Sequence, residues 1–196
     1  MAGVTGPSNA EIDFVMFSTF TLAWFAIAIW LSRSDRLSEI PSSQLLAAGL
    51  AFPFILSFGL PAIASAFENW TNGIPVQTLT LLQTPRVLGG SFILWSVANG
   101  RLPGGFGWPT GISDVAIGLS APLAAFFLIS KAGEPRRGLL MWQLVSMACL
   151  LVSSISGMVT SPESLSRYPL SLVPIFFGPL MIFLQLTGIR RTMLTR

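Results

Sequence analysis

Six apolar stretches of about 20 residues, each closed by a short polar connector, organise the chain. At about 1.5 Å per residue such a stretch matches a hydrocarbon core roughly 30 Å thick. The pattern predicts helices over about 13–32, 43–67, 75–98, 111–130, 139–159 and 170–189. The fold class expected is all-α: a polytopic membrane protein, a bundle of about six transmembrane helices, forming a single membrane-embedded domain over 1–196. Several helices should be proline-kinked. The second contains Pro53 and Pro61, and the sixth Pro174 and Pro179; such breakers are tolerated in lipid where neighbouring groups re-satisfy the freed carbonyls. No Lys or Arg precedes the first run and no small-residue cleavage site follows it, so it is expected to remain as a helix and not to act as a signal peptide.

Composition agrees with this pattern. Of 196 residues 52% are hydrophobic and 10% charged, with mean hydropathy +0.71, against roughly 25% charged residues in soluble domains. The lipid bilayer is the expected partner, and nothing in the composition calls for nucleic acid. Histidine is absent, which excludes His-ligated haem and His-based metal sites. Cys149 is the single cysteine, so no internal disulfide and no Cys metal cluster is expected. No cofactor is predicted.

Against this charge-poor background the stretch from Gln83 to Asp114 stands apart. It places Arg86 inside the third apolar run, with Pro85 directly before it and Gly89-Gly90 directly after. Counted from Pro75, Arg86 is about 16 Å into its helix, near mid-membrane. A central arginine costs about 2.5–3.5 kcal/mol on insertion scales, so it should face the bundle and have a partner. Helical spacing puts Gln83, Arg86 and Gly90 on one face. Two readings of Arg86 stand side by side: a binding group, or a structural one that satisfies the carbonyl of Leu81 freed by Pro85 or pairs with a neighbour. The following N-G-R-L-P-G-G-F-G-W-P-T-G segment reads as a tight interfacial turn or as a connector dipping into the bilayer rim. It contains no phosphate-binding G-x-x-x-x-G-K-[ST] motif.

The fourth predicted helix carries Gly111, Asp114, Gly118, Ala121 and Ala125 on one stripe, a small-residue packing face with a single acid. Asp114 could pair with Arg86 or could serve the free amides and dipole at its helix start. A start at Gly111 puts Asp114 about 6 Å, and Arg86 about 18 Å, from the same membrane face, which works against direct contact. The fifth helix carries Gln143, Ser146, Ser153 and Gly157 on one stripe, either for packing or to line a polar cavity. The candidate ligand-binding set is Arg86, Gln83, Gly90, Asp114 and Gln143. An arginine fork suits carboxylate or phosphate, so the ligand expected is an anionic solute or lipid, with Gly89 and Gly90 leaving room for its approach.

R-V-L-G-G-S-F-I-L (86–94), G-R-L-P-G-G-F-G-W-P-T-G-I-S-D (100–114) and P-L-S-L-V-P-I-F-F-G-P-L (169–180) resemble a family of small six-helix bacterial integral membrane proteins of unknown function. The resemblance implies a bacterial inner-membrane location and says nothing of an activity. In that family the fifth helix often carries Asn after its Trp and the sixth a His; here those places hold Gln143 and Gln185, so a role needing imidazole does not carry over. If the termini share a side, six basic residues (Lys131, Arg136, Arg137, Arg190, Arg191, Arg196) face four (Arg33, Arg36, Arg101, Arg167). This bias puts the basic C-terminal tail in the cytoplasm, while the flanks of the first helix, Glu11 and Asp13 before it and Arg33 and Arg36 after it, argue the reverse. The function expected is that of a membrane-embedded binding or transport-type protein. The alternative is a non-catalytic structural or accessory subunit of a larger membrane complex, or of a homo-oligomer. An enzyme fits least, since no nucleophile–base set or carboxylate pair lies within the spans.

Overall fold

A computed structural model describes residues 9–34, 74–129, 137–160 and 162–194, together with Gln44. Apart from Gln44, the predicted second helix, about 43–67, lies outside the described residues, as does the K-A-G-E-P-R connector at 131–136. All described elements are helical: α1 (Asn9–Arg33), α2 (Val76–Leu81), α3 (Arg86–Ala98), α4 (Gly104–Phe127), α5 (Arg137–Thr160), the short α6 (Pro162–Leu165) and α7 (Gly178–Leu194), which continues from a π-helical turn at Val173–Phe177. Three of them are long and apolar enough to cross a membrane: Gly104–Phe127, Arg137–Gly157 and Val173–Leu194.

The third predicted helix is not continuous. Pro85 has no N–H to give the carbonyl of Leu81, and the chain tightens instead. The Gln83 N–H donates to Thr80 O at 3.1 Å, the Thr84 N–H to Leu81 O at 2.9 Å and the Arg86 N–H to Gln83 O at 3.1 Å, each reaching back three residues. The freed carbonyl is thus satisfied by backbone, and the side chain of Arg86 is available for other work.

The fourth helix begins seven residues earlier than predicted. Residues 104–110, read from their Gly/Pro content as a turn, are helical, and the turn is confined to 99–103, where Gly100 takes φ 68°. Tertiary packing outweighs the poor propensity of glycine here. A Cβ on Gly107 would run into Val97, and one on Gly111 would lie 2.6 Å from the Leu94 side chain. Further along, a Cβ on Gly118 would lie 2.6 Å from Val87 N, and one on Gly90 2.7 Å from Gly111 O. The glycines let α3 and α4 approach almost backbone to backbone, and the pairings 97–107, 90–111 and 87–118 make the two helices antiparallel.

Around this pair α5 and α7 complete the core. Trp142 Nε1 donates to Ser120 Oγ at 2.9 Å, and Leu139 packs with Val76, Ala124 and Ile129; α7 packs on α5 through Met147, Leu150, Met181 and Ile182. At the start of α7 the Gly178 N–H reaches Val173 O, five residues back, so the chain between Pro174 and Pro179 winds as a π turn. Its Phe176 meets Trp24 at 5.0 Å and Phe25 at 4.8 Å between ring centroids, and the hydroxyls of Ser32 and Ser171 bond, docking α1.

Polarity is distributed inside out. Ser96, Ser146, Ser171, Gln83, Gln143 and Gln185 are buried, while Leu119, Leu123, Phe126, Val152 and Val159 are each more than half exposed. Arg33, Arg101 and Arg167 lie at one end of the bundle and Arg137, Arg190 and Arg191 at the other. Between these ends, among the described residues, the only charges are Arg86 and Asp114.

Candidate functional site

Arg86 is the first residue of α3, and the break before it aims its side chain into the bundle. Its Nη2 donates to Asp114 Oδ1 at 2.5 Å and its Nε to the same oxygen at 3.0 Å. On the other side Nη1 donates to Ser146 Oγ at 2.7 Å and meets Ser146 O at 3.4 Å. The network continues across α5 to α7: Ser146 Oγ donates to Gln185 Oε1 at 3.4 Å, and Gln185 Nε2 donates to Gln143 O at 2.8 Å. Four helices are thereby tied at one level.

That level is the middle of the bundle. Because α4 starts at Gly104, Asp114 lies ten residues, about 15 Å, inside it, and Ser146 and Gln185 sit equally far from the ends of their helices. The depth mismatch that a start at Gly111 implies disappears, and with it the reading of Asp114 as a helix-start cap. Arg86 and Asp114 pair directly.

The pair forms one end of a cavity of about 390 Å³ that runs toward Phe106, Leu165 and Pro169 at the end of the bundle carrying Arg101 and Arg167. Among the described residues its walls are otherwise apolar, apart from Thr110, Ser153 and Ser154. Gly89 lines it, and a Cβ there would meet nothing within 4 Å.

Of the five candidate residues, Arg86 and Asp114 come together at this cavity. Gly90 does not leave room for a ligand: it is closed against α4, and a Cβ on it would lie 2.9 Å from Asp114 Cβ. Gln83 and Gln143 are buried away from the cavity lining. Both amide atoms of Gln83, and Oε1 of Gln143, have no hydrogen-bond partner among the described residues. Ser146 and Gln185 complete the network and were missed as site residues, although Ser146 shares the stripe of Gln143 and Gln185 is a lone amide in an apolar run. Among the described residues no cluster of three metal-ligating side chains occurs.

The fold and this network define an all-helical bundle with spans long enough for a membrane, built around one buried ion pair. Over residues 40–193 the chain matches a domain of unknown function, DUF8737, and it belongs to that family. No curated protein and no solved structure matches it.

Proposed function

We propose that the chain is a polytopic integral membrane protein of the bacterial inner membrane that binds an amphipathic, lipid-like ligand in the cavity beside Arg86 and Asp114. Membrane embedding is supported by the charge layering, with basic residues at both ends and one neutralised pair between, and by the exposed apolar faces of α4 and α5. The observation that carries the binding reading is the cavity: about 390 Å³, mostly apolar along its length and with the ion pair at one end, a volume within the range of small-molecule sites. An apolar tail would lie against Phe92, Leu172 and Phe177 while a polar head reaches mid-bundle.

The second reading, a non-catalytic structural or accessory subunit, is favoured by the closed ion pair, since an arginine already neutralised by Asp114 has little left to offer an anion. Gentle purification from the native membrane separates the two. A free monomer or homodimer that carries bound lipid supports the binding reading; stoichiometric partner subunits without such lipid support the accessory one. Protease access in sealed membrane vesicles of known orientation, before solubilisation, tests the cytoplasmic placement of the basic tail.

A further inference from the structure

We infer that the polar end of the ligand is a hydrogen-bond donor, an alcohol or an ammonium group, seated on Asp114, and not an anion held by Arg86. The inference rests on the binding reading above. The two members of the pair differ in exposure: the Arg86 side chain is 2% accessible and that of Asp114 15%. The guanidinium is also largely engaged: Nε and one Nη2 N–H go to Asp114 and Nη1 to Ser146, four of its five donors. Asp114, in contrast, takes both of its bonds from Arg86 on one oxygen, Oδ1, leaving Oδ2 outside the pair. An ionised carboxylate has about four acceptor sites, so a donor arriving through the cavity adds a bond without breaking one. An anion would have to displace Asp114 from Arg86 and leave a second negative charge buried beside it, an arrangement that low dielectric penalises heavily.

The rest of the cavity fixes the class of molecule. Leu150, Val173, Met181 and Ile182 supply an apolar wall beyond the pair, and the hydroxyl of Ser154 is already given to Leu150 O at 2.8 Å. With only the Thr110 and Ser153 hydroxyls left along the wall among the described residues, one donor group on a long apolar tail suits this surface better than a polyol or a highly charged headgroup.

The test uses the full chain in nanodiscs and three probes of equal chain length, decanol, decylamine and decanoate, with thermal stabilisation measured against added probe. Gly89→Leu, which adds a side chain at the cavity wall where a Cβ meets nothing within 4 Å, subtracts effects of the probes on the bilayer. Decanol and decylamine are expected to bind at least ten times more tightly than decanoate, with both lost in Gly89→Leu. Asp114→Asn should weaken decylamine at least tenfold and decanol less. Decanoate binding as tightly as the other two, and sensitive to Gly89→Leu, overturns the donor inference while leaving an amphiphile site in place. Identical responses of wild type and Gly89→Leu to all three overturn both.

Discussion

Replacing Asp114 by Asn should destabilise the fold by about 3 kcal/mol, because removing one partner of a buried ion pair typically costs about 3–5 kcal/mol and the asparagine oxygen retains one acceptor. The structure sets where in that range the effect falls. Arg86 is 4% exposed, so its charge has no route to solvent when the carboxylate is lost. Two bonds to a carboxylate oxygen, at 2.5 and 3.0 Å, become at best bonds from the cation to a neutral amide oxygen, and only the Ser146 contacts remain intact. At 1.4 kcal/mol per decade, the folded-to-unfolded ratio falls about a hundredfold. Asp114→Ala, with no acceptor left, should fall at the top of the range. Reversible unfolding in mixed detergent micelles, followed by the fluorescence of the six tryptophans, measures the change. Arg86→Gln supplies the control: the double variant should cost no more than either single one, and the loss should be insensitive to added salt because the pair is shielded from counterions. A loss below about 0.5 kcal/mol, the size typical of an exposed pair, or strict additivity of the two single effects, would refute the reasoning.

Glycine substitutions on adjacent residues should act in opposite directions. Gly90→Ala and Gly118→Ala each force backbone apart at the α3–α4 contact and should cost about 1–3 kcal/mol, whereas Gly89→Ala, with open space around its Cβ, should gain up to about 1 kcal/mol of helix propensity; melting temperatures in one detergent give the order. Gln83→Leu removes two buried amide atoms that lack partners among the described residues and should raise stability by about 1–2 kcal/mol, since a buried unpaired polar group costs that much; a fall in melting temperature would show that the amide is engaged. Ser146→Ala takes away the acceptor of Arg86 Nη1 and should cost about 1.5–3 kcal/mol, the range for a bond to a charged group, with no change in oligomeric state by light scattering.

The all-helical class was legible in the apolar runs alone, and the need of Arg86 for a protein partner followed from its cost at mid-membrane. The stripe of Gly111, Gly118, Ala121 and Ala125 also reads correctly as a packing face, all four being buried. What escaped was the start of α4. Gly104, Gly105, Gly107, Pro109 and Gly111 carry every local signal of a turn, and only the fit of Gly107 and Gly111 against Val97 and Leu94 makes the helix worth forming. That single boundary decided the site, because seven residues of extra helix move Asp114 from an interface to the level of Arg86. Pro85 misled in a smaller way: its missing donor was visible, but the three-residue backbone bonds that absorb the loss are set by how α2 and α3 pack. The cavity has no sequence signature at all, since its lining is gathered from α3, α4, α5, α6 and α7 and the π turn before α7, segments far apart in the chain.

The account stands most directly on what the cavity holds in the native membrane. Wild-type protein and Gly89→Leu, purified in parallel in a mild detergent and weighed intact by native mass spectrometry, should differ by one bound amphiphile per chain, present in the wild type and absent from the variant. Equal lipid content in the two, with the variant folded as judged by its melting temperature, would contradict it.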